Sequence, residues 1–200
     1  MSRRAVAHLC SVDPVMARLI AEIGHPRRRQ RPPNFESMAR AIVFQQLHGK
    51  AASTIYQRLL EAAGGALTPD SILALSEASL RAAGLSRQKL GYLRDLAART
   101  ASGELDFARI PCLNDDEIIG YLTRVKGIGV WTAQMFLIFS LQRPDVMPTA
   151  DFAINMAIKK HYRKRRVLKP KQTLQLAERW RPYRTLACQY LWDSLDVRLP

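Results

Sequence analysis

Acidic residues are scarce in this 200-residue chain: 17 Asp and Glu stand against 31 Lys and Arg, a formal net charge of +14. A surplus of that size calls for a polyanionic partner, with nucleic acid ahead of an anionic membrane surface. Long apolar runs are also missing. None approaches the roughly 20 residues that cross a bilayer, and no basic amphipathic segment carries large apolar anchors, so a membrane partner is not expected. The N-terminal MSRRAVAHLC has no signal-type apolar core. The expectation is an intracellular, unsecreted protein, cytoplasmic and nucleoid-associated in a bacterium or nuclear in a eukaryote. Only three cysteines occur, Cys10, Cys112 and Cys188, far apart and without a CxxC pair. They read as reduced structural thiols and not as a disulfide framework, a metal site or an iron–sulfur site. Finally, no stretch sustains the apolar–polar alternation of a half-buried strand, so the chain reads as all-α, with about ten short helices.

What is present is helix punctuation. Asp13-Pro14 opens a pattern through Val15, Leu19, Ile20 and Ile23 that Gly24 closes, with proline just inside the start and glycine past the end. A basic connector follows, Arg27, Arg28, Arg29 and Arg31 among Pro26, Pro32 and Pro33. Asn34 starts a helix through Met38, Ile42, Val43 and Phe44. A corner at Gln45, Gln46, Leu47 and His48 leads to Gly49, which breaks the pattern, and Lys50 to Ala63 resumes it. Thr68, Ser76 and Ser86 are N-cap candidates, and Gly84 and Gly103 mark helix ends. Asn114-x-x-Glu117 has capping-box spacing. A second basic run, Lys159, Lys160, Arg163, Lys164, Arg165 and Arg166, follows FAINMAIKKHY, and the apolar WRPYRTLACQYLWDSL reads as a terminal helix with mostly buried aromatics.

The most informative stretch is 122–154, LTRVKGIGVWTAQMFLIFSLQRPDVMPTADFAI. Gly127 and Gly129 bracket Ile128 and predict a tight turn. Apolar residues at helical spacing then predict a mostly buried helix from about Val130. Amides at its N-terminus, with the positive end of the helix dipole and the charge of Lys126, would suit an anion such as phosphate. Asp151 stands where a helix N-cap is expected, and a carboxylate fixed in that way also suits electrostatic or general-base catalysis.

VKGIGVWTAQMF followed by a Pro-containing loop and Asp151 resembles the helix-hairpin-helix and catalytic aspartate of the DNA glycosylase superfamily named for that element. FQQLHGKAA, GLSRQKLGYLRDLA and WRPYRTLACQYLW are similar to its 3-methyladenine DNA glycosylase II branch, and the likeness spans most of 34–196. The resemblance implies a monomeric, two-lobed helical bundle with the active-site cleft between the lobes. One lobe would span about 34–145 and carry the hairpin element, 114–142; the other would combine 1–33 with 146–200. The β-rich N-terminal domain of some relatives is not expected in this chain.

By position, the resemblance makes Asp151 the catalytic carboxylate. Lys126, Gly127, Ile128, Gly129 and Val130 would grip DNA backbone, with a monovalent Na+ or K+ at 125–130 and no other cofactor. Trp131, Phe152 and Trp192 would line the base pocket with Gln45 at its edge. Met135 stands where a relative has an aromatic residue, which bears on base preference. The duplex wedge falls within Gln46, Leu47 and His48, with Leu47 or His48 foremost. Trp131, twenty residues before Asp151, takes the place of a Schiff-base lysine, and the C-terminal cysteine cluster of an iron–sulfur branch is missing. The implied function is base flipping and monofunctional hydrolysis of N-glycosidic bonds of alkylated purines in double-stranded DNA, the first step of base excision repair. A non-catalytic DNA-binding module and a same-fold enzyme for oxidised or mismatched bases are the alternatives.

Overall fold

The computed structural model describes residues 2–26, 30–47 and 49–195. Among them every regular element is helical. In chain order these are α1 (Arg3–Val12), α2 (Pro14–Ile23), α3 (Phe35–Phe44), α4 (Gly49–Ala62), α5 (Pro69–Ala74), α6 (Glu77–Ala82) and α7 (Arg87–Ala101). They continue as α8 (Asp115–Leu122), α9 (Val130–Phe139), α10 (Phe152–His161), α11 (Pro170–Ala177) and α12 (Arg184–Asp193), with short 3₁₀ turns at Ile110–Cys112 and Glu178–Trp180. The total exceeds the ten read from sequence because α1 and the 3₁₀ turns carry weak signals.

The chain divides into two compact units, Arg31–Phe136 and the two ends together, Met1–Gln30 with Leu137–Leu199; the division falls inside α9. In the central unit α7 packs against α3, α5 and α6, and α3 against α4. Phe107 meets Phe35 and Phe136 edge-on. In the chain-end unit α2 packs on α1 and α12, and α12 on α10. Trp180, Tyr190 and Trp192 are fully buried in it. Tyr190 Oη donates to Gly24 O at 3.0 Å, satisfying the one polar atom of that ring.

The caps fall where the punctuation placed them. Asn34, Thr68, Ser76 and Ser86 accept from the third residue onward. Asn114 and Glu117 form the reciprocal capping box. Three boundaries differ from the sequence reading. The N-terminus, read only for its lack of a signal core, forms α1, whose Ala5 and Leu9 are buried one turn apart while Arg3 and Arg4 stand exposed at its first turn. Gly49 begins α4 instead of lying outside it. WRPYR is not part of the last helix: Trp180 ends a 3₁₀ turn, Pro182 lacks the N–H that a continuous helix needs, and α12 starts at Arg184.

Candidate functional site

In the central unit the hairpin is a pair of tight turns, Val125 N to Leu122 O and Ile128 N to Val125 O, both 3.1 Å. Ile128 is buried and anchors the loop from inside. Gly127 has φ +79°, and a Cβ on it would collide with the ring of Tyr92. Glycine is therefore required there twice, by the left-handed backbone and by the close approach. Gly129 differs: its φ lies outside the left-handed region and open space surrounds it. Its Cα borders the α9 N-terminus, and Gly129 O accepts from Ala133 N at 3.1 Å.

Two hairpin amides are engaged inside the chain. Lys126 N donates to Asp95 Oδ2 at 2.8 Å and Ile128 N to Val125 O. Among the described residues the N–H groups of Gly127, Gly129 and Val130 have no acceptor within the chain. The donor set at the α9 N-terminus is thus narrower than the Lys126–Val130 run read from sequence. Lys126 and Ile128 contribute a charge and an anchor, and the other three contribute amides.

The corner after α3 lies against this hairpin. Gln45 Nε2 donates to Gly127 O at 2.9 Å. Gln46 takes φ +55° although it is not glycine, a conformation that costs about 1 kcal/mol or more and persists only where neighbours enforce it. Leu47 N reaches Phe44 O, and the Leu47 side chain is exposed. Lys89 of α7 enforces the turn, its ammonium donating to both Val43 O and Gln45 O at 2.6 Å. Those carbonyls sit at the negative end of α3, where a cation is favoured. Burial lowers the Lys89 pKa from its usual value. Val130 and Trp131, at 53% and 39%, are exposed where the periodicity predicts burial from the helix start; burial begins at Thr132, and Met135 is half-buried.

The acid belongs to the chain-end unit. α12 holds the segment that leads to it. Arg184 Nε and Nη2 clamp the Asp145 carboxylate at 2.7 and 3.1 Å, and Nη2 also donates to Asp145 O. One turn holds the backbone too: Thr185 Oγ1 donates to Arg143 O at 2.7 Å and accepts from Val146 N at 3.0 Å. Cys188 lies against Met147, its thiol driven up in pKa by burial and by the charge of Asp151, hence inert. Two turns after Arg184, Trp192 Nε1 donates to Asp151 Oδ1 at 3.0 Å. Asp151 is the N-cap of α10, with Oδ1 also accepting from Ile154 N at 2.8 Å. The carboxylate is 6% exposed, and the adjoining Phe152 is 78% exposed.

The structure therefore assembles two sets. Gln45, Leu47 and the hairpin share the central unit; Asp151, Phe152 and Trp192 share the other. Trp192 is fully buried and stacks on Phe139 at 5.5 Å, so it supports Asp151 and does not offer an open pocket wall. Its sequence position gave no sign of this, because a helix turn carries both supporting and lining aromatics. Lys89, Tyr92, Asp95, Asp145, Arg184 and Thr185 escaped sequence reading. For the α12 group a signal existed: positions 184, 185, 188 and 192 share one helix face. Of the basic runs, Arg163 to Arg166 is exposed beyond the C-terminus of α10. Arg27 to Arg29 and the wedge candidate His48 lie outside the described residues. Among the described residues no cluster of His, Cys, Asp or Glu could hold a metal ion, and no helix is long and apolar enough to cross a membrane.

Comparison with known proteins adds to this geometry. Residues 39–182 match the family described as HhH-GPD superfamily base excision DNA repair protein. A Schizosaccharomyces pombe protein named DNA-3-methyladenine glycosylase 1 is 35% identical over 197 residues, which cover 96% of this chain and 86% of that one. A solved structure of the S. pombe 3-methyladenine DNA glycosylase in complex with abasic DNA superposes with TM-score 0.86 at 34% identity, covering 98% of each chain. A DNA-3-methyladenine glycosidase from Bacillus halodurans gives TM-score 0.85 at 36% identity, over 96% of this chain and 89% of that one.

Proposed function

The chain belongs to the HhH-GPD superfamily of base excision DNA repair proteins, and on that premise we propose that it is a monofunctional glycosylase releasing alkylated purines of the 3-methyladenine and 7-methylguanine type from double-stranded DNA. The observation that carries this reading is Asp151: a buried carboxylate at a helix start, oriented by two N–H donors on one oxygen, beside an exposed aromatic ring. Its relatives bear the names of 3-methyladenine glycosylases.

A base within a stacked duplex is out of reach, so the nucleotide rotates out, at a cost of a few kcal/mol that a damaged pair reduces. The exposed Leu47 at the strained corner is the wedge that fills the gap, with Gln46 setting its direction. The amides of Gly127, Gly129 and Val130 and the dipole of α9 hold a backbone phosphate. A monovalent cation at 125–130 fits a donor set made of backbone carbonyls alone, since Val125 O and Gly127 O, though each accepts one hydrogen bond, keep a second lone pair. Trp131 in the central unit and Phe152 in the chain-end unit each expose an aromatic ring, and a cationic base stacked on an indole gains about 0.5 to 2 kcal/mol. Gln45 and Met135 would shape the pocket edge.

An N3- or N7-alkylated purine is cationic and leaves readily. The C1′–N bond breaks, its electron pair departs with the base, and positive charge builds on the sugar. Asp151 places a fixed negative charge against that cation, and water adds to C1′, losing its proton to solvent. The indole of Trp131 has no amine with which to form a Schiff base, so the strand is left uncut at an abasic site. A monomer acting on intracellular DNA suffices for every step.

The test is incubation of the purified protein with methylated duplex DNA and chromatography of the released bases. Free 3-methyladenine and 7-methylguanine are expected, with abasic sites in equal number and no strand cleavage. Binding without any released base would reduce the protein to a DNA-binding module.

A further inference from the structure

α7 carries no residue assigned above to DNA or to base chemistry, yet one of its faces holds both elements that would touch the duplex. Lys89, Tyr92 and Asp95 follow one another at three-residue spacing and therefore lie along one side of the helix. Lys89 closes on Val43 O and Gln45 O at the corner. Tyr92 fills the space against Gly127, and Gln88 Nε2 reaches its hydroxyl at 2.5 Å. Asp95 accepts from Lys126 N at 2.8 Å and is itself held by Arg99 at 3.0 Å. The Gln45–Gly127 bond joins the corner and the hairpin directly.

We infer that α7 is a gauge that fixes the wedge corner and the phosphate-gripping hairpin in one register, and that Lys89 is a positioning residue for base extrusion. The inference rests on the function proposed above. Its physical basis is that the corner cannot hold itself: Gln46 is in a left-handed conformation, and the Gln45 and Leu47 amides make only the turn bonds to Ile42 O and Phe44 O at 3.3 and 3.4 Å. The ammonium of Lys89 neutralises the two carbonyls that would otherwise repel each other across that turn. Desolvation of the half-buried ammonium is unfavourable, and its two carbonyl bonds offset that cost. A wedge displaced by about 1 Å still contacts DNA but no longer enters the stack, and misplacement on that scale costs up to about 10²-fold in rate.

The experiment compares the full chain with Lys89→Met and Lys89→Gln by amide hydrogen exchange at Gln45 and Leu47, undamaged-duplex affinity, and excision from methylated duplex. In both variants exchange at the two corner amides should rise about tenfold or more, amides of Ala157 and Ile158 in α10 should not change, and affinity should hold within about threefold because phosphate contacts persist. Excision should fall about tenfold or more. Lys89→Gln, which retains one donor, serves if Lys89→Met does not fold. Unchanged corner exchange overturns the clamp, and raised exchange with wild-type excision rates overturns its part in extrusion. If the unmutated protein releases no base while the variants loosen the corner, the proposed function fails and the clamp stands.

Discussion

Asp13 and Asp151 are a matched pair in the chain-end unit. Each is a buried aspartate that caps a helix, and each accepts the indole N–H of a fully buried tryptophan from the last quarter of the chain. Asp13 has both oxygens occupied: Oδ1 takes Val15 N and Met16 N, and Oδ2 takes Tyr162 Oη at 2.7 Å and Trp180 Nε1 at 2.9 Å. The Tyr162 hydroxyl is pushed far up in pKa by burial and by this bond, so it stays a donor. At Asp151 both indole and cap donors converge on Oδ1, and the residue that follows is an exposed phenylalanine where Asp13 is followed by Pro14, the first residue of α2. Capping and burial are thus common to a structural knot and a candidate catalyst. What separates them is the surroundings: Tyr162 and Trp180 gathered on the second oxygen of Asp13, an exposed aromatic ring beside Asp151.

The largest expected effect tests that separation directly. Asp151→Asn keeps the cap acceptor for Ile154 N and removes the negative charge. Base release from methylated DNA should fall by about 10³-fold or more, some 4 kcal/mol of transition-state stabilisation. The melting temperature should move by only a few degrees, since Asn caps as well as Asp. A mutant that turns over within a few-fold of the parent would make Asp151 a second Asp13. The mirror experiment is Asp13→Ala. It removes a cap and strands a half-buried hydroxyl and a buried indole N–H, together about 3 to 5 kcal/mol of stability. Excision per folded molecule, measured well below the transition, should not change; a selective loss of turnover would erase the distinction.

The pair also shows how far the sequence could be read. Both aspartates were visible as helix starts, because a cap acts on amides two or three residues away and leaves a local pattern. The Asn114–Glu117 box and the threonine and serine caps were visible for the same reason. The fold class and the corner, hairpin and acid stand in chain order, so they too could be read. The supports could not. Lys89 binds backbone carbonyls 44 and 46 residues away, and Asp95 a backbone amide 31 residues away. A backbone acceptor carries no residue type, so such a partner has no signature. Gly127 and Gly129 look alike in sequence, yet only one is required by conformation and by a neighbouring ring. The tryptophans were legible as aromatic and not as donors: nothing in WRPYRTLACQYLW says that Trp180 answers Asp13 and Trp192 answers Asp151.

That correspondence gives the finest test. Trp180→Phe and Trp192→Phe are the same chemical change at two sites: each deletes one N–H and part of a ring, and each should cost about 1 to 3 kcal/mol of stability from the lost bond and the small cavity. Their effects on chemistry should diverge. In Trp192→Phe the ring still stacks on Phe139, but Asp151 loses the indole donor that helps to orient it, and a carboxylate held less firmly loses alignment with the sugar; base release should drop by about tenfold. Trp180→Phe leaves Asp13 with Tyr162 and two amides, all remote from the reaction, so base release by folded protein should equal the parent's. Single-turnover excision measured at a temperature where both variants are folded separates the outcomes, because a general loosening of the unit would slow the two alike. Equal loss in both would mean that the indoles only fill space, and that the orientation of Asp151 comes from its helix and not from Trp192.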